Sequence, residues 1–204
     1  MKAIVLLSGG LDSAVVLALA LQKKRECLAL SFDYGQRHRI ELQSAKAIAK
    51  HYSVSHKIIT IDPSSFGNSS LLLQNEKREV PKNRTKHEIA RSGTPSTYVP
   101  ARNTIFLSMA IAQAEIFSAE EIYIGPNALD TKYPDCSVNF INAFQNVINV
   151  ATKQSLDGKA PLLIAPLIHL DKVQIIQLGK SLKVPMEMTI SCYDPQEGQP
   201  CLQC

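Results

Sequence analysis

The chain has 204 residues, of which 45% are hydrophobic and 20% are charged, and its formal net charge is +4. A chain of this length can bury one sizeable core, so we expect one domain with a small appendage. It contains no apolar run long enough to span a membrane and no signal-peptide pattern, so we expect a cytoplasmic protein. The modest positive charge suits anionic small-molecule substrates and gives no reason to expect nucleic acid as a partner.

The segment Ser8–Ser13, with the sequence SGGLDS, lies between the apolar run Ala3–Leu7 and an apolar-rich stretch that starts at Ala14. This order predicts a strand, a tight loop and then a helix. Two glycines allow a ligand to approach the backbone closely, and the unpaired N–H groups at a helix start bind anions. The segment therefore predicts a phosphate site. Its expected residues are Leu7, Ser8, Gly9, Gly10, Leu11, Asp12, Ser13, Ala14 and Val15.

The glycine spacing of this loop excludes two common phosphate motifs, the Walker loop and the dinucleotide-binding fingerprint. It resembles the Ser-Gly-Gly-x-Asp-Ser loop of the ATP pyrophosphatases, which split ATP between its α and β phosphates. The alternative interpretation is a glycine turn with a serine cap. We favour the first interpretation because six consecutive positions match directly after a strand.

Strands and helices alternate in the next part of the chain. Residues 27–32 predict a second strand, residues 40–52 a second helix and residues 56–61 a third strand. Helical crossovers imply parallel strands in a doubly wound sheet, in which ligands bind beyond the carboxyl ends of the strands. Asp33 and Tyr34 follow the second strand, so we expect them in the same cleft as the glycine loop.

Residues 74–97 are polar, rich in Lys and Arg, and too long for an ordinary connection. Two interpretations stay open for this segment. It is either a lid that folds over phosphates or a solvated charged loop.

A helix over residues 104–117 and a strand over residues 122–125 follow. Arg102 and Asn103 stand before this helix, at the edge of the sheet where ligands bind. An arginine there can neutralise a phosphate. The asparagine either bonds a ligand amide or caps the helix.

The loop after that strand, residues 127–136, also lies over the predicted cleft and contains Asp130, Tyr133 and Asp135. A helix over residues 138–152, a strand over residues 162–165 and a helix capped by Asp171 that ends near Leu182 complete the pattern. Lys172 stands in the first turn of the last helix, where a positive charge opposes the helix dipole. It is either a ligand-binding lysine or a solvated surface residue.

Cys192, Cys201 and Cys204 lie close together at the end of the chain, and the last two have the Cys-x2-Cys spacing of a zinc knuckle. In a reducing compartment these cysteines indicate a metal rather than disulfides. A structural zinc site takes four ligands, but Cys27 falls in a strand and Cys136 in the cleft loop. The tail, residues 185–204, therefore supplies three predicted ligands.

Together, these motifs resemble the 7-cyano-7-deazaguanine synthase family, the queuosine-precursor branch of the ATP pyrophosphatases, over nearly the whole chain. The matching segments are Ser8–Ser13, Ser31–His38, Tyr98–Asn103, Tyr133–Cys136, and the tail residues Ser191–Tyr193 with Cys201 and Cys204. The chain departs from the family pattern at Ala101, where glycine is usual, and in the loop after Asp130, which is one residue shorter. The family tail continues to a further cysteine, so either this chain is truncated before the fourth ligand or the site is degenerate.

The resemblance implies a doubly wound, mostly parallel five-stranded α/β sheet of the adenine nucleotide alpha hydrolase type over residues 1–184, with a zinc-binding extension over residues 185–204. It also implies a homodimer that uses ATP, Mg²⁺ and Zn²⁺. The substrates would be 7-carboxy-7-deazaguanine and ammonia, and the carboxylate would be adenylated, converted to an amide, activated again by ATP and dehydrated to a nitrile.

The resemblance also assigns roles to the residues singled out above. The catalytic residues would be Asp12, Arg102 and Lys172. The substrate-binding residues would be Asp33, Tyr34, Arg102, Asn103, Asp130, Tyr133 and Asp135. The metal ligands would be Cys192, Cys201 and Cys204. Asp33, Asp130 and Asp135 are candidates to bind either the guanine-like edge of the substrate or ammonium.

Two other function classes share part of the pattern. A tRNA-modifying ATP pyrophosphatase, such as a lysidine synthetase or a thiolase, has the same glycine loop, but it needs an RNA-binding domain or a reactive cysteine pair in the cleft. A catalytically impaired relative that only binds nucleotide or zinc would account for the shortened loop and the missing cysteine.

Overall fold

The structure is a computed structural model, and it describes residues 1–66, 69–72, 80, 82, 93–194 and 201. Five strands of this part of the chain form one sheet in the order β3-β2-β1-β4-β5, and every neighbouring pair is parallel. The strands are β1 (Lys2–Leu6), β2 (Glu26–Asp33), β3 (Ser55–Thr60), β4 (Glu121–Tyr123) and β5 (Leu162–Ile164). The predicted doubly wound α/β sheet is therefore confirmed, and its described strands are entirely parallel.

The described helices connect these strands. They are α1 (Leu11–Gln22), α2 (Ile40–His51), α3 (Arg102–Phe117), α4 (Val138–Ala151), α5 (Lys153–Leu156) and α6 (Lys172–Ser181). Helix α3 begins two residues earlier than predicted, so Arg102 belongs to its first turn. The predicted cap of α6 is confirmed, since the Asp171 side chain accepts from Gln174 N–H and the Gln174 side chain accepts from Asp171 N–H.

The core has two layers, one on each face of the sheet. Strand β1 is central and alternates between them: Val5 packs with α1, α2 and α6, whereas Ile4 packs with α3 and α4. Leu17 and Leu107, one from each layer, have no exposed surface. Burial of each such side chain contributes about 2 kcal/mol, so the sheet is a rigid support for the loops at its edges.

The strand order places a topological switch point at β1. Its neighbours β2 and β4 are reached by crossovers on opposite faces of the sheet, so the loops after β1 and β4 diverge at the carboxyl edge. The glycine loop, residues 8–13, lies in this gap. Most of the predicted lid, residues 74–97, and Cys204 lie outside the described residues. Among the described helices, none has the length and apolar composition needed to cross a bilayer.

Candidate active site

A cleft of about 410 Å³ opens at the carboxyl edge of the sheet. Its walls come from the ends of β1 and β2, the starts of α1, α3 and α6, and residues 190–193 of the tail. The predicted site residues that line it are Leu7, Ser8, Gly10, Leu11, Asp12, Ser13, Tyr34, Arg102, Asn103, Asp130, Tyr133, Lys172 and Cys192. Groups from six separate parts of the chain are therefore brought to one site.

The glycine loop is held in shape by its two serines. Ser8 N–H donates to Ser13 Oγ over 3.2 Å, and Ser13 Oγ donates to the Gly10 carbonyl over 2.9 Å. The helix α1 then begins at Leu11, so the N–H groups of its first turn face the loop. Ala14 differs from the prediction, because its N–H already donates to Gly10 O over 3.1 Å and its side chain is in the core, as is that of Val15.

The described part of the tail packs directly against this loop. Ile190 N–H donates to Gly9 O over 3.0 Å, and Ser44 Oγ donates to the same carbonyl over 2.9 Å. Leu11 N–H approaches Ser191 Oγ at 3.4 Å. Residues 190–193 thus form part of the cleft wall, a contact that the sequence pattern of the tail did not indicate.

Asp12 is held by two donors from distant parts of the chain. Lys172 Nζ lies 2.6 Å from Asp12 Oδ1, and Asn127 Nδ2 lies 2.9 Å from Asp12 Oδ2. The lysine in the first turn of α6 therefore lines the cleft and pairs with the carboxylate of the glycine loop, although 42% of its side chain is exposed. Both groups stand where a phosphate would meet the start of α1.

Arg102 brings a second positive charge into the cleft. Its Nη1 lies 3.3 Å from the hydroxyl of Tyr34, and among the described residues no carboxylate lies within ion-pair distance of it. Burial raises the pKa of the Tyr34 hydroxyl, so Tyr34 stays neutral beside the guanidinium. The charge of Arg102 is thus left available for an anionic ligand.

Asn103 and Asp135, both predicted to bind substrate, contact each other. Asn103 N–H donates to Asp135 Oδ2 over 2.8 Å, and Asn103 Nδ2 donates to Asp135 O over 2.9 Å. Asp135 therefore caps α3 from outside the helix and does not line the cleft. Asn103 lines the cleft but uses its amide to hold the loop after β4 against α3.

Asp33 also lies outside the cleft lining. Its carboxylate pairs with Arg39 and accepts from Gly35 N–H at 3.4 Å. The position at the end of β2 was predicted correctly, but the side chain is engaged by the turn that follows the strand.

Asp130 remains inside the cleft, as predicted. Its Oδ2 accepts from Asn127 N–H over 2.9 Å. Its pKa is raised, mainly by burial and also by the charge of Asp12, while Arg102 and Lys172 act to lower it. Asp130 thus lies within electrostatic range of all three predicted catalytic residues.

The aromatic wall next to Asp130 is formed by Tyr133. The Tyr133 hydroxyl lies 2.8 Å from Thr97 Oγ1, and its ring lies 6.4 Å from that of Tyr98. These contacts fix the ring beside the cleft, where its face is available for stacking on a planar ligand.

The thiol of Cys136 lines the cleft but is a poor nucleophile. Burial, together with Asp130 and Asp135, raises its pKa to about 12, and its sulfur accepts from Asn103 Nδ2 at 3.2 Å. Since the thiolate is the reactive form, this cysteine does not suit sulfur transfer.

His38 and Glu41 are among the cleft-lining residues that the sequence reasoning missed. His38 and Glu41 face each other, with His38 Nε2 3.3 Å from Glu41 Oε2, and Gln36 Nε2 donates to Glu41 Oε1 over 3.2 Å. His38 was part of a matching segment, which was a usable signal. Glu41 gave none, because an acidic residue in the first turn of a helix is ordinary.

The predicted metal ligands are only partly within the described residues. Cys192 is buried, and Cys201 N–H donates to Cys192 Sγ at 3.2 Å. Two thiols so placed fit the soft-donor chemistry of zinc, and an N–H donor to a ligating sulfur is a usual supporting contact. Cys204 lies outside the described residues, among which no group of three or more possible metal ligands occurs.

Comparison with known proteins decides the family. The family described as "Queuosine biosynthesis protein QueC" matches residues 2–204. The chain belongs to this family. It is 50% identical to a 7-cyano-7-deazaguanine synthase of Legionella pneumophila (strain Corby), with coverage of 100% of this chain and 87% of that protein. It is 48% identical to the one of Nitrosospira multiformis, with coverage of 100% and 86%.

Solved structures with a similar fold are more distant in sequence. NMN synthetase from Francisella tularensis has a TM-score of 0.53 and 22% identity, with coverage of 98% of this chain and 69% of that one. NH3-dependent NAD synthetase from Campylobacter jejuni has a TM-score of 0.50 and 18% identity, with coverage of 92% and 66%. These neighbours confirm the predicted α/β fold, and at such identities they carry no more than the fold.

Proposed function

We propose that this QueC-family protein is an ATP-dependent carbon–nitrogen ligase that converts 7-carboxy-7-deazaguanine and ammonia to 7-cyano-7-deazaguanine. One observation carries the proposal. The glycine loop, the Asp12–Lys172 pair and the partly buried Arg102 line one cleft at the carboxyl edge of a parallel sheet. This arrangement suits a reaction in which negative charge grows on a departing pyrophosphate.

The chemistry explains why ATP is needed twice. A carboxylate does not accept ammonia directly, because the leaving group would be oxide. Attack of a carboxylate oxygen on the α-phosphorus releases pyrophosphate and gives an acyl adenylate; ammonia then attacks the acyl carbon, and AMP and a proton leave. The amide oxygen is adenylated in the same way by a second ATP, and loss of AMP and a proton from this species leaves the nitrile.

The residues of the cleft have distinct parts in this scheme. The first-turn N–H groups of α1 and the loop Ser8–Ser13 would hold the β and γ phosphates, and Lys172 would neutralise them. Arg102 would contact the α-phosphate or the substrate carboxylate. Asp130, a half-buried carboxylate near these charges, would bind ammonium and take its proton.

Metal ions are part of the proposal on chemical grounds. Mg²⁺ would be bound mostly by the phosphates, with Asp12 as the carboxylate ligand from the protein. Zn²⁺ would be held by Cys192, Cys201 and Cys204 and would fix the tail against the glycine loop. A homodimer and two functional parts, residues 1–184 and 185–204, complete the proposal.

The decisive experiment measures products with ATP, ammonium and 7-carboxy-7-deazaguanine. We expect two AMP and two pyrophosphate for each nitrile formed, and an amide that accumulates when ATP is limiting. Formation of ADP and phosphate, or no nucleotide turnover with this carboxylate, would refute the proposal.

Tests of the tRNA-modifying alternative use the same protein. That function predicts tRNA binding that weakens steeply with salt. The raised pKa of the Cys136 thiol argues against a thiolase, so we expect no tRNA-dependent release of pyrophosphate.

A further inference from the structure

The cleft has two differently equipped ends, and one of them is not used by the scheme above. Asp12, Lys172 and Asp130 gather at the end next to the start of α6. On the β2 side of the glycine loop, the wall formed by the end of β2 and the start of α2 holds His38 and Glu41. Its groups are polar and largely buried, yet nothing in the adenylation chemistry requires them.

Glu41 is fixed in place but retains acceptor capacity. Its Oε1 accepts a hydrogen bond from Gln36 Nε2, and its Oε2 lies 3.3 Å from His38 Nε2. A carboxylate oxygen has two lone pairs, so both oxygens can accept once more. Gln36 has no exposed surface and His38 is 3% exposed, so the carboxylate is held by rigid neighbours.

The second ring nitrogen of His38 also indicates a ligand site. Its Nδ1 is buried and has no hydrogen-bond partner among the residues that the structure describes, an unusual state for a buried ring nitrogen. The ring of Tyr193 lies 5.6 Å from that of His38, and Leu42 adds apolar lining. A planar ring with polar edge groups fits such surroundings.

Two parallel acceptors match one kind of base edge. The guanine-type edge presents N–H at position 1 and an amino group at position 2, which are two adjacent donors. Adenine presents one donor and one acceptor there, so a carboxylate does not suit it. The other carboxylates are engaged elsewhere: Asp12 by Lys172 and Asn127, Asp33 by Arg39 outside the cleft, and Asp135 by α3.

We propose that Glu41 recognises the guanine-type edge of the deazapurine substrate, with Gln36 and His38 as positioning residues that hold its carboxylate. The inference rests on the proposed function, since it assigns the specificity of the same cleft. It replaces Asp33 and Asp135 in that role and leaves Asp130 for ammonium. Lys172 would then lie on the β4 side of the glycine loop, and the base on its β2 side, beside α2.

The test is a binding cycle measured by calorimetry. The probes are 7-carboxy-7-deazaguanine and its analogue without the 2-amino group, each in the presence of α,β-methylene-ATP, which is not split between these phosphates. For the unchanged protein, we expect loss of the amino group to weaken binding about 30-fold, the usual effect of a hydrogen bond to a charged group. Glu41→Gln should weaken binding of the parent compound by about the same factor. This variant should then bind the analogue nearly as well as it binds the parent compound.

The inference would be overturned if the losses from Glu41→Gln and from removal of the 2-amino group multiplied, or if neither change weakened binding. It would also be overturned if Asp33→Asn, rather than Glu41→Gln, abolished the effect of removing the 2-amino group. Affinity for α,β-methylene-ATP alone should stay within about 2-fold, because Glu41 does not contact the nucleotide in this proposal. If Glu41→Gln does not fold, Glu41→Asp enters the same cycle, since it keeps the charge but shortens the reach. Failure of the unchanged protein to bind the parent compound would instead refute the proposed function and the inference with it.

Discussion

The two edges of the sheet hold buried ionic groups in opposite arrangements. At the amino edge, Arg25 donates to both oxygens of Glu121, over 2.7 and 2.8 Å, and the Tyr123 hydroxyl donates to the same carboxylate over 2.9 Å. At the carboxyl edge, Arg102 donates to the hydroxyl of Tyr34 and makes no ion pair with a carboxylate among the described residues, and Glu41 has spare acceptors. The closed cluster at the amino edge, in which Arg25, Glu121 and Tyr123 bond to one another, stabilises the fold. The open arrangement at the carboxyl edge is equipped for a ligand.

Asp12→Asn should have the largest effect of the variants proposed, and the effect should fall on turnover rather than on the stability of the fold. The change removes the carboxylate from the glycine loop but keeps the side-chain shape. We expect turnover to fall about 10³-fold, because the proposed metal ligand and the partner of Lys172 are lost. Release of pyrophosphate measures this effect, and thermal unfolding checks the fold. A turnover within a few-fold of the unchanged protein would show that Asp12 is not part of the machinery.

Gly9→Ala tests how closely the backbones meet at the carboxyl edge. Gly9 has a φ of +95°, and an added Cβ would lie 2.1 Å from Glu41 O and 2.8 Å from Ala45 N. These atoms belong to α2 and cannot move independently, so we expect a loss of about 3 kcal/mol in the free energy of unfolding.

Gly10→Ala is the matched control for that change. The nearest atoms to a Cβ at Gly10 lie 3.5 Å away, which is ordinary contact. We therefore expect its free energy of unfolding in urea to change by less than about 1 kcal/mol. Equal losses in the two variants would mean that backbone crowding at Gly9 is not the cause.

Glu121→Gln tests the closed cluster. The carboxylate is buried and accepts three hydrogen bonds, so we expect a loss of about 2 kcal/mol, or about 6 °C in Tm, with turnover unchanged at a permissive temperature. The bond from Arg25 lowers the pKa of Glu121, with burial acting against it and Tyr123 assisting.

The pH dependence of this effect has a defined sign. Because the folded pKa is the lower one, the stabilisation is present above the unfolded value of about 4.3 and is lost as the pH falls through the folded value. The Tm difference between the unchanged protein and Glu121→Gln should therefore shrink below about pH 4. A difference that is constant down to pH 3 would contradict the assignment.

The fold and the position of the glycine loop at the cleft could be predicted from the sequence because their signals are local. The run Ala3–Leu7, the loop Ser8–Ser13 and the capping residue Asp171 each determine structure within a few neighbours. Lys172 could be placed near the cleft by the same logic, but its partner Asp12 is 160 positions away.

The side-chain partners of Asp135 and Glu41 could not be predicted because they depend on contacts between distant parts of the chain. Asp135 follows a strand just as a ligand-binding residue would, yet it caps a helix that begins 33 positions earlier. Glu41 has the ordinary sequence context of a helix start, and only the packing of α2 against the glycine loop brings it to the cleft. Sequence order gives the edge of the sheet on which a residue lies, but not which partner engages its side chain.

Ala101→Gly gives the smallest expected effect, and it concerns backbone strain beside Arg102. Ala101 precedes α3 with φ 52° and ψ 27°, a left-handed conformation that costs a residue with a Cβ about 1–2 kcal/mol. Glycine removes this cost but makes the unfolded chain more flexible, so we expect a net gain of about 0.5–1 kcal/mol in urea unfolding. The matched change Ala112→Gly, at an exposed position inside the same helix, should instead lose about 1 kcal/mol. Losses of equal size at both positions would show that Ala101 is not strained, and the usual glycine of the family would then need a reason other than backbone conformation.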